Sequence, residues 1–540
     1  MGAVLRQAGE SRMMHKVLIN GEWRPAAHPA GSFNAMNPAT GEHLSGEYPI
    51  SAWADIQAAL VASLVAVDGL VQCGPDRIAA FLEALALKVE GRREALVETA
   101  HLETALPVEP RLRSVEFPRL VDQLRQAALA CRDRSWCRAT IDSKLNIRSK
   151  LGPLGGPVVV FGPNNFPFAY NAVGGGDFAA ALAAGNPVIA KAHPSHPETT
   201  RLLAEAAGEA LGVSGLPTAS VQLLYHFSPE DGFRLVSHPA VGATAFTGSR
   251  PSGLKLKEAA DRAGKPIYLE MSSANPVFIL PGAVEERPAA IATELFNSCL
   301  LAAGQMCTKP GLVVLADNTA GRAFLGLVKD SFEGSGPGVL LGPKVLEGLK
   351  EASVRLARSG AELVTGGREP GGSGFRFLPT LFRLSGASFL RNPAAFQVES
   401  FGTLSLIVLA RDTAEMKEIA ASLEGHLTGS IYSHSGGTDD QAYAAIEPHL
   451  RRKVGRLLND KMPTGVAVTP AMNHGGPYPA TGHPGFTAVG FPAAIVRFAA
   501  LHCYDHVRPD RLPVDLRNEN PTGKMWRLID GEWTQRSSSS

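Results

Sequence analysis

Charged residues are scarce in this 540-residue chain, at 19%, and 52 basic against 51 acidic side chains leave a formal charge of +1. There is no long basic block, so no electrostatic footprint for nucleic acid and no polybasic membrane patch. The six cysteines (Cys73, Cys131, Cys137, Cys299, Cys307, Cys503) form no Cys-x-x-Cys pair. Neither a zinc site nor a disulfide framework is indicated, and scattered thiols fit a reducing, cytoplasmic setting. Met1–Lys16 lacks the apolar core of a signal peptide, and Arg6 stands where myristoylation needs Ser or Thr. The longest apolar stretch, Ile56–Val71, is shorter than the ~20 residues of a membrane span and carries Asp68. It reads as a packed helix. No tandem repeat occurs at a fixed period, and Ser537–Ser540 reads as a short disordered tail.

What is present is an ordinary globular composition, 45% hydrophobic, in a chain long enough for two or three domains. Residues 50–132 carry helical periodicity, with Ile78, Leu82, Leu85 and Val89 at spacings of three and four. From Gly156 the texture becomes short apolar strands alternating with helices: Pro157–Phe161, Val188–Lys191, Val221–Leu224, Val241–Thr247 and Ile267–Leu269. Such runs predict an α/β architecture with a parallel sheet covered on both faces, whose ligands bind beyond the strand ends. A second strand–helix series is expected over 290–470. Thr140–Ser149 and Ala493–Phe498 read as exposed extended segments able to pair with another subunit. Ile19-Asn20-Gly21-Glu22-Trp23 is echoed by Ile529-Asp530-Gly531-Glu532-Trp533. The echo reads as two Gly turns, each beside an aromatic.

Polar residues fall at strand ends: Asn165, Lys191, Gly248-Ser249 and Glu270. Cys307 follows the apolar helical run Ala289–Ala303 after a Gly304-Gln305 break. A thiolate attacks carbonyl carbon well, and a carboxylate activates water. Taken locally, Cys307 is as readily a small hydrophobe as a nucleophile, and Glu270 is more readily a surface acid than a base. Cys299, inside the helical run, reads as core.

Six stretches in order resemble the aldehyde dehydrogenase superfamily. They are Phe161-Gly162-Pro163-Asn164-Asn165-Phe166-Pro167, Ala183–Lys191, Phe246-Thr247-Gly248-Ser249, Leu269-Glu270-Met271, Gly304-Gln305-Met306-Cys307-Thr308 and Glu399-Ser400-Phe401-Gly402. Lys191–Pro197, Gly304–Gly311 and His474–Thr481 are similar to the α-ketoglutaric semialdehyde (2,5-dioxovalerate) dehydrogenases, and much of this pattern is shared with bacterial fatty aldehyde dehydrogenases. Gly482-His483-Pro484-Gly485 departs from the former group.

The resemblance implies a Rossmann-like cofactor domain (1–132 and 152–270), an α/β catalytic domain (271–469), and a small β oligomerisation arm with a C-terminal segment (133–151 and 470–540). It implies Cys307 as nucleophile, Asn165 with the Cys307 N–H as oxyanion hole, and Glu270 as the base that hydrolyses a thioester. Lys191 would meet the adenosine ribose, Gly248 and Ser249 the pyrophosphate, Glu399 the nicotinamide ribose and Phe401 the nicotinamide face. No metal is implied. NAD-preferring relatives often place a Glu three residues after the Lys; here that residue is Pro194, so NADP is expected to serve at least as well as NAD. The partners implied are a small aldehyde and further copies of the chain in a homodimer or homotetramer, with no nucleic acid and no membrane. Two other readings stay open on the residues: a Cys-dependent hydrolase or acyl transferase using His193, His196 or His474, and a catalytically silent protein.

Overall fold

The computed structural model describes residues 14–538, so the readings placed on 1–13 and 539–540 lie outside the described residues. Five short strands, apolar nearly throughout, pair in parallel in the order Ile267–Glu270, Ala243–Thr247, Val158–Phe161, Val188–Lys191, Val221–Leu224. The first strand in sequence lies at the centre, and the order runs outward on both sides of it. This Rossmann-like arrangement opens a crevice at the carboxyl ends of the central strands. Helices Trp53–Glu90 and Phe117–Asp133 bury their apolar faces in the core beneath this sheet.

Helix Trp53–Glu90 is long and apolar enough to cross a membrane, but Gly74 at φ 72° breaks it before Pro75. Ile56, Leu60, Leu70, Ile78, Leu82 and Leu85 share one core with the sheet.

A second seven-stranded sheet runs Glu362–Thr365, Thr380–Ser385, Leu404–Ala410, Leu312–Ala316, Val277–Ile279, His426–Tyr432, Val454–Asn459. It is parallel except at the Glu362–Thr365 edge. The third sheet is built from the segments expected to form the arm and runs Ala499–Asp505, Ile147–Pro153, Thr140–Asp142, Arg527–Ile529, Glu532–Thr534.

The echoed phrases are two hairpins. Val17–Ile19 pairs with Glu22–Arg24 across Asn20-Gly21, and Arg527–Ile529 with Glu532–Thr534 across Asp530-Gly531. All four turn residues have positive φ, the requirement of a type I′ turn. One hairpin extends the first sheet through Leu18, opposite Leu223; the other extends the arm. Arg527 is wholly buried and donates to the carbonyls of Arg517, Asn518, Glu519 and Arg536, which ties the chain end to the arm.

Three expectations change. Ala493–Phe498 is not extended: Ala493–Val496 is a helical turn whose Ala494 and Ile495, with Phe498, enter the first core. The strand begins only at Ala499. The helix before Cys307 ends at Leu300, because Ala302 and Ala303 adopt left-handed φ of 52° and 56°. At the tail, Ser538 is docked by its N–H on the Asn518 carbonyl at 2.8 Å.

Candidate active site

Glu270 ends its strand and Asn165 follows the end of another, so both stand at the crevice. Cys307 reaches it from the second sheet's side. Its loop leaves the helix through the left-handed pair Ala302-Ala303, a strained route of the kind held at functional sites. Gly304 packs against Gly402 so closely that a Cβ would lie 2.2 Å from that carbonyl oxygen. Asn275 fastens the loop from below, donating Nδ2 to the carbonyls of Cys307 and Lys309 at 2.8 and 3.0 Å. Lys309 fastens it sideways, donating Nζ to the carbonyl of Ser400 at 2.9 Å and also to that of Leu404. Nucleophile loop and Glu399 segment therefore form one body. Burial drops Lys309 to about 8.

Glu270, Cys307 and His474 bring their reactive atoms within 4.8 Å of one another. His474 Nε2 lies 3.0 Å from Glu270 Oε1 and 3.4 Å from Cys307 Sγ. Glu270 and His474 are each 2% exposed. Glu270 Oε2 is buried without a hydrogen-bond partner. Burial, and after it the negative charges of Glu270 and Glu399, push the Cys307 thiol well above its usual range. The sulfur thus needs help to ionise.

Asn165 donates one Nδ2 hydrogen to the Gln305 carbonyl at 2.9 Å, leaving the second free beside the nucleophile loop. Its own carbonyl accepts from Arg111 at 2.8 Å; Arg111 pairs with buried Glu116, which accepts from the N–H groups of Phe168 and Ala169. An ion pair this deeply buried is better evidence of placement than of stability.

Around Cys307 lies an apolar cluster of Phe166, Tyr170, Met306, Met472 and Phe486. Two arginines reach it. Arg119 stacks over Phe166 and Tyr170 and lies 3.5 Å from the Tyr170 hydroxyl, with its Nε buried and unpartnered. Arg456 donates to the carbonyls of Pro463 and Gly465 and touches the Met472 sulfur at 3.8 Å. Neither pairs with a carboxylate among the described residues, and both act electrostatically on Cys307.

Across the crevice, Gly248 N–H bonds the Glu270 carbonyl at 3.1 Å. Ser249 opens helix Arg250–Arg262 without capping it by its side chain; Pro251 has no N–H and the Arg250 N–H reaches Ser272 Oγ at 3.4 Å, so the Ser252 N–H is what this first turn offers an anion. Burial lowers Lys191 to about 8, and the charge of Lys344 adds to the shift. His226 falls to about 4 by burial, with Lys191 and Lys344 contributing. His193, like Lys191, lies in this acid-poor region. Burial raises Glu399 to about 7 against the pull of Ser272, Lys309 and Arg250. Phe401 packs half-buried against the first core.

The structure thus gathers Cys307, Glu270 and Asn165 at one point, with Glu399 facing them and Lys191 and Ser249 further along the crevice. His193 and His196 lie at Lys191, with ring centroids 5.6 Å apart. Only His474, of the three candidate histidines, meets Cys307. A Cys–His contact is what the hydrolase reading required, so geometry alone does not dismiss it. Lys309, Asn275, Arg119 and Arg456 were not singled out from the sequence. The one available hint was Lys309, two places after Cys307.

A parallel-sheet crevice at which a thiol, an amide and a carboxylate converge is the frame of an enzyme that works through a covalent intermediate on sulfur. The chain belongs to the aldehyde dehydrogenase family, whose model matches residues 23–455. It is 39% identical over 529 residues to alpha-ketoglutaric semialdehyde dehydrogenase 2 of Azospirillum brasilense, covering 96% of this chain and 99% of that one. It is 34% identical to alpha-ketoglutaric semialdehyde dehydrogenase of Acinetobacter baylyi, over 84% and 87% of the two chains. Among solved structures, the NAD+ complex of Bacillus cereus aldehyde dehydrogenase superposes with a TM-score of 0.78 at 21% identity, over 91% of this chain and 96% of that one.

Proposed function

We propose that this protein oxidises a short aldehyde bearing a distal carboxylate, α-ketoglutaric semialdehyde being the foremost candidate, to the corresponding acid with NADP or NAD. The observation that carries the substrate class is the pair Arg119 and Arg456, cations without acid partners beside an apolar cluster that ends at Cys307. An uncompensated guanidinium there suits a carboxylate, which it can grip in a fork. The names of the two relatives point the same way.

In this reading Cys307 attacks the aldehyde carbon as thiolate. The free Asn165 hydrogen and the Cys307 N–H hold the oxyanion; such a donor is worth ~3 kcal/mol. A nicotinamide held at Glu399 and Phe401 would supply the acceptor for the hydride. Glu270 then draws a proton from water through its unpartnered Oε2, and the thioester is hydrolysed. The crevice suits a dinucleotide: the Ser249 hydroxyl and the Ser252 N–H for pyrophosphate, Glu399 for the nicotinamide ribose, Phe401 beside its ring. At the adenosine end, Lys191, Lys344, His193 and His226 surround a place with no carboxylate, since position 194 is Pro194. That favours a 2′-phosphate, hence NADP.

The division into cofactor domain (1–132, 152–270), catalytic domain (271–469) and arm with C-terminal segment (133–151, 470–540) belongs to the same reading. So does a cytoplasmic homo-oligomer, supported by six free cysteines and by the edge strand Ala499–Asp505, which pairs on one side only. The test is a panel of semialdehydes and alkyl aldehydes with both cofactors, followed at 340 nm, run beside Cys307→Ala. The panel favours the carboxylated aldehydes, and the variant loses more than ~10³-fold. Decanal outrunning every semialdehyde overturns the substrate class; turnover by Cys307→Ala overturns the chemistry.

A further inference from the structure

We propose that His474 is a catalytic hydrogen-bond donor whose single Nε2–H is shared between Glu270 and Cys307, moving to the sulfur as the thiolate forms and returning to the carboxylate when the sulfur is acylated. The inference rests on Cys307 being the nucleophile.

The geometry fixes which nitrogen matters. Nε2, not the pair of ring nitrogens, faces both groups, at 3.0 Å from Glu270 Oε1 and 3.4 Å from Cys307 Sγ. A carboxylate oxygen only accepts, so the proton sits on Nε2. That tautomer has no lone pair to offer the thiol, which excludes His474 as base in this arrangement. A linear relay would instead bind the two partners through opposite nitrogens. The thiol proton has one acceptor at hand, the Glu270 carboxylate. The S–H bond breaks, an O–H bond forms on Glu270, and the new thiolate competes for the Nε2–H that the neutralised carboxyl now holds weakly. When sulfur becomes a thioester its negative charge is gone. Glu270, having returned its proton to solvent, regains the donor through Oε1, and Oε2 faces the hydrolytic water.

The ring is held for this. His474 N–H bonds Thr487 Oγ1 at 2.9 Å, its carbonyl accepts from Ala488 at 2.9 Å, and its ring lies 5.8 Å from that of Tyr170. A thiol buried beside Glu270 and Glu399 needs a donor to ionise, because both anions oppose it. The charged and titratable groups facing Cys307 are Glu270 at its strand end, His474, Glu399, Arg119 on its helix, Arg456 on strand Val454–Asn459, and Tyr170.

The experiment measures iodoacetamide alkylation of Cys307 from about pH 6 to 10, across the ordinary thiol range near ~8.5. Peptide mass spectrometry separates Cys307 from the other five thiols. The proteins are the unmodified chain, His474→Leu, which removes the donor, and His474→Gln, whose amide keeps an N–H in place but accepts no proton there. Cofactor binding and melting temperature check the fold; should His474→Leu not fold, His474→Asn, too short to reach the sulfur, replaces it. The thiol is expected to titrate at least ~1 pH unit higher in the Leu variant, about tenfold less thiolate at neutral pH, with His474→Gln close to the unmodified chain. Equal profiles for His474→Leu and the unmodified chain overturn the proposal. So does a Gln variant as impaired as the Leu one, because that would make His474 a proton acceptor. Turnover by Cys307→Ala would instead strike the nucleophile assignment, whatever the alkylation shows.

Discussion

Removing the Arg119 guanidinium tests the substrate class most directly. Arg119→Leu keeps an apolar side chain against Phe166 and Tyr170 and deletes one unpaired cation beside the site. At an effective dielectric of ~20, a carboxylate ~4 Å from a guanidinium gains about 4 kcal/mol of Coulomb energy. Arg119 is partly exposed, and both groups shed water to meet, so the net is that of a charged hydrogen bond, about 1.5–3 kcal/mol. Arg456 remains and shares the load, which places the loss at the lower end. At 1.4 kcal/mol per decade that is about 10- to 30-fold in kcat/KM, carried mainly by KM. The assay is the initial rate at 340 nm with α-ketoglutaric semialdehyde and with pentanal, which has similar reach and no carboxylate. Pentanal, which never used the cation, should change less than about threefold. Raising salt should weaken the difference for the unmodified protein, since a half-exposed contact is screened. Equal losses on both substrates would mean that Arg119 only shapes the pocket through Tyr170. No loss on the semialdehyde would refute the carboxylate clamp outright.

Glu270→Gln should slow thioester hydrolysis most, because hydrolysis loses its base, and should also slow the burst of reduced cofactor, because the buried thiol loses its proton acceptor; a burst as fast as that of the unmodified chain would confine Glu270 to hydrolysis. NADP affinity should fall as pH rises through about 8, where Lys191 loses its charge, while NAD affinity changes less. Pro194→Glu should shift the NADP/NAD ratio toward NAD by ~10-fold, a like-charge cost of ~1–2 kcal/mol; fluorescence titration of both cofactors checks the pair, and an unchanged ratio defeats the electrostatic argument.

The five parallel strands were legible because they are buried on both faces and so read as unbroken apolar runs. Cys307 and Glu270 were legible as element-end residues. Ala493–Phe498 misled because a six-residue stretch of Ala, Ile, Val and Phe interrupted by Arg497 has no period long enough to tell a buried helical turn from a strand. The end of the helix at Leu300 was hidden for a related reason. Leu301, Ala302 and Ala303 are good helix formers, yet Leu301 leaves the helix at ψ 127° and Ala302 and Ala303 turn left-handed just before Gly304 packs on Gly402. His474 was a candidate that nothing in the sequence could pair with Cys307, since 167 positions separate them and only the returning C-terminal segment closes that gap. The arginines share this difficulty: a cation's missing acid partner shows in three dimensions alone.

Lys309 carries a mechanical consequence. Its ammonium links the carbonyls of Ser400 and Leu404 to the loop that bears the sulfur. In the proposed reading, a ribose held by Glu399 would pull on Cys307 through this charged contact. Such linkage is reciprocal: whatever free energy cofactor binding spends in seating the sulfur, chemistry at the sulfur returns as altered grip on the cofactor. Product release and thiol readiness become two ends of a single lever.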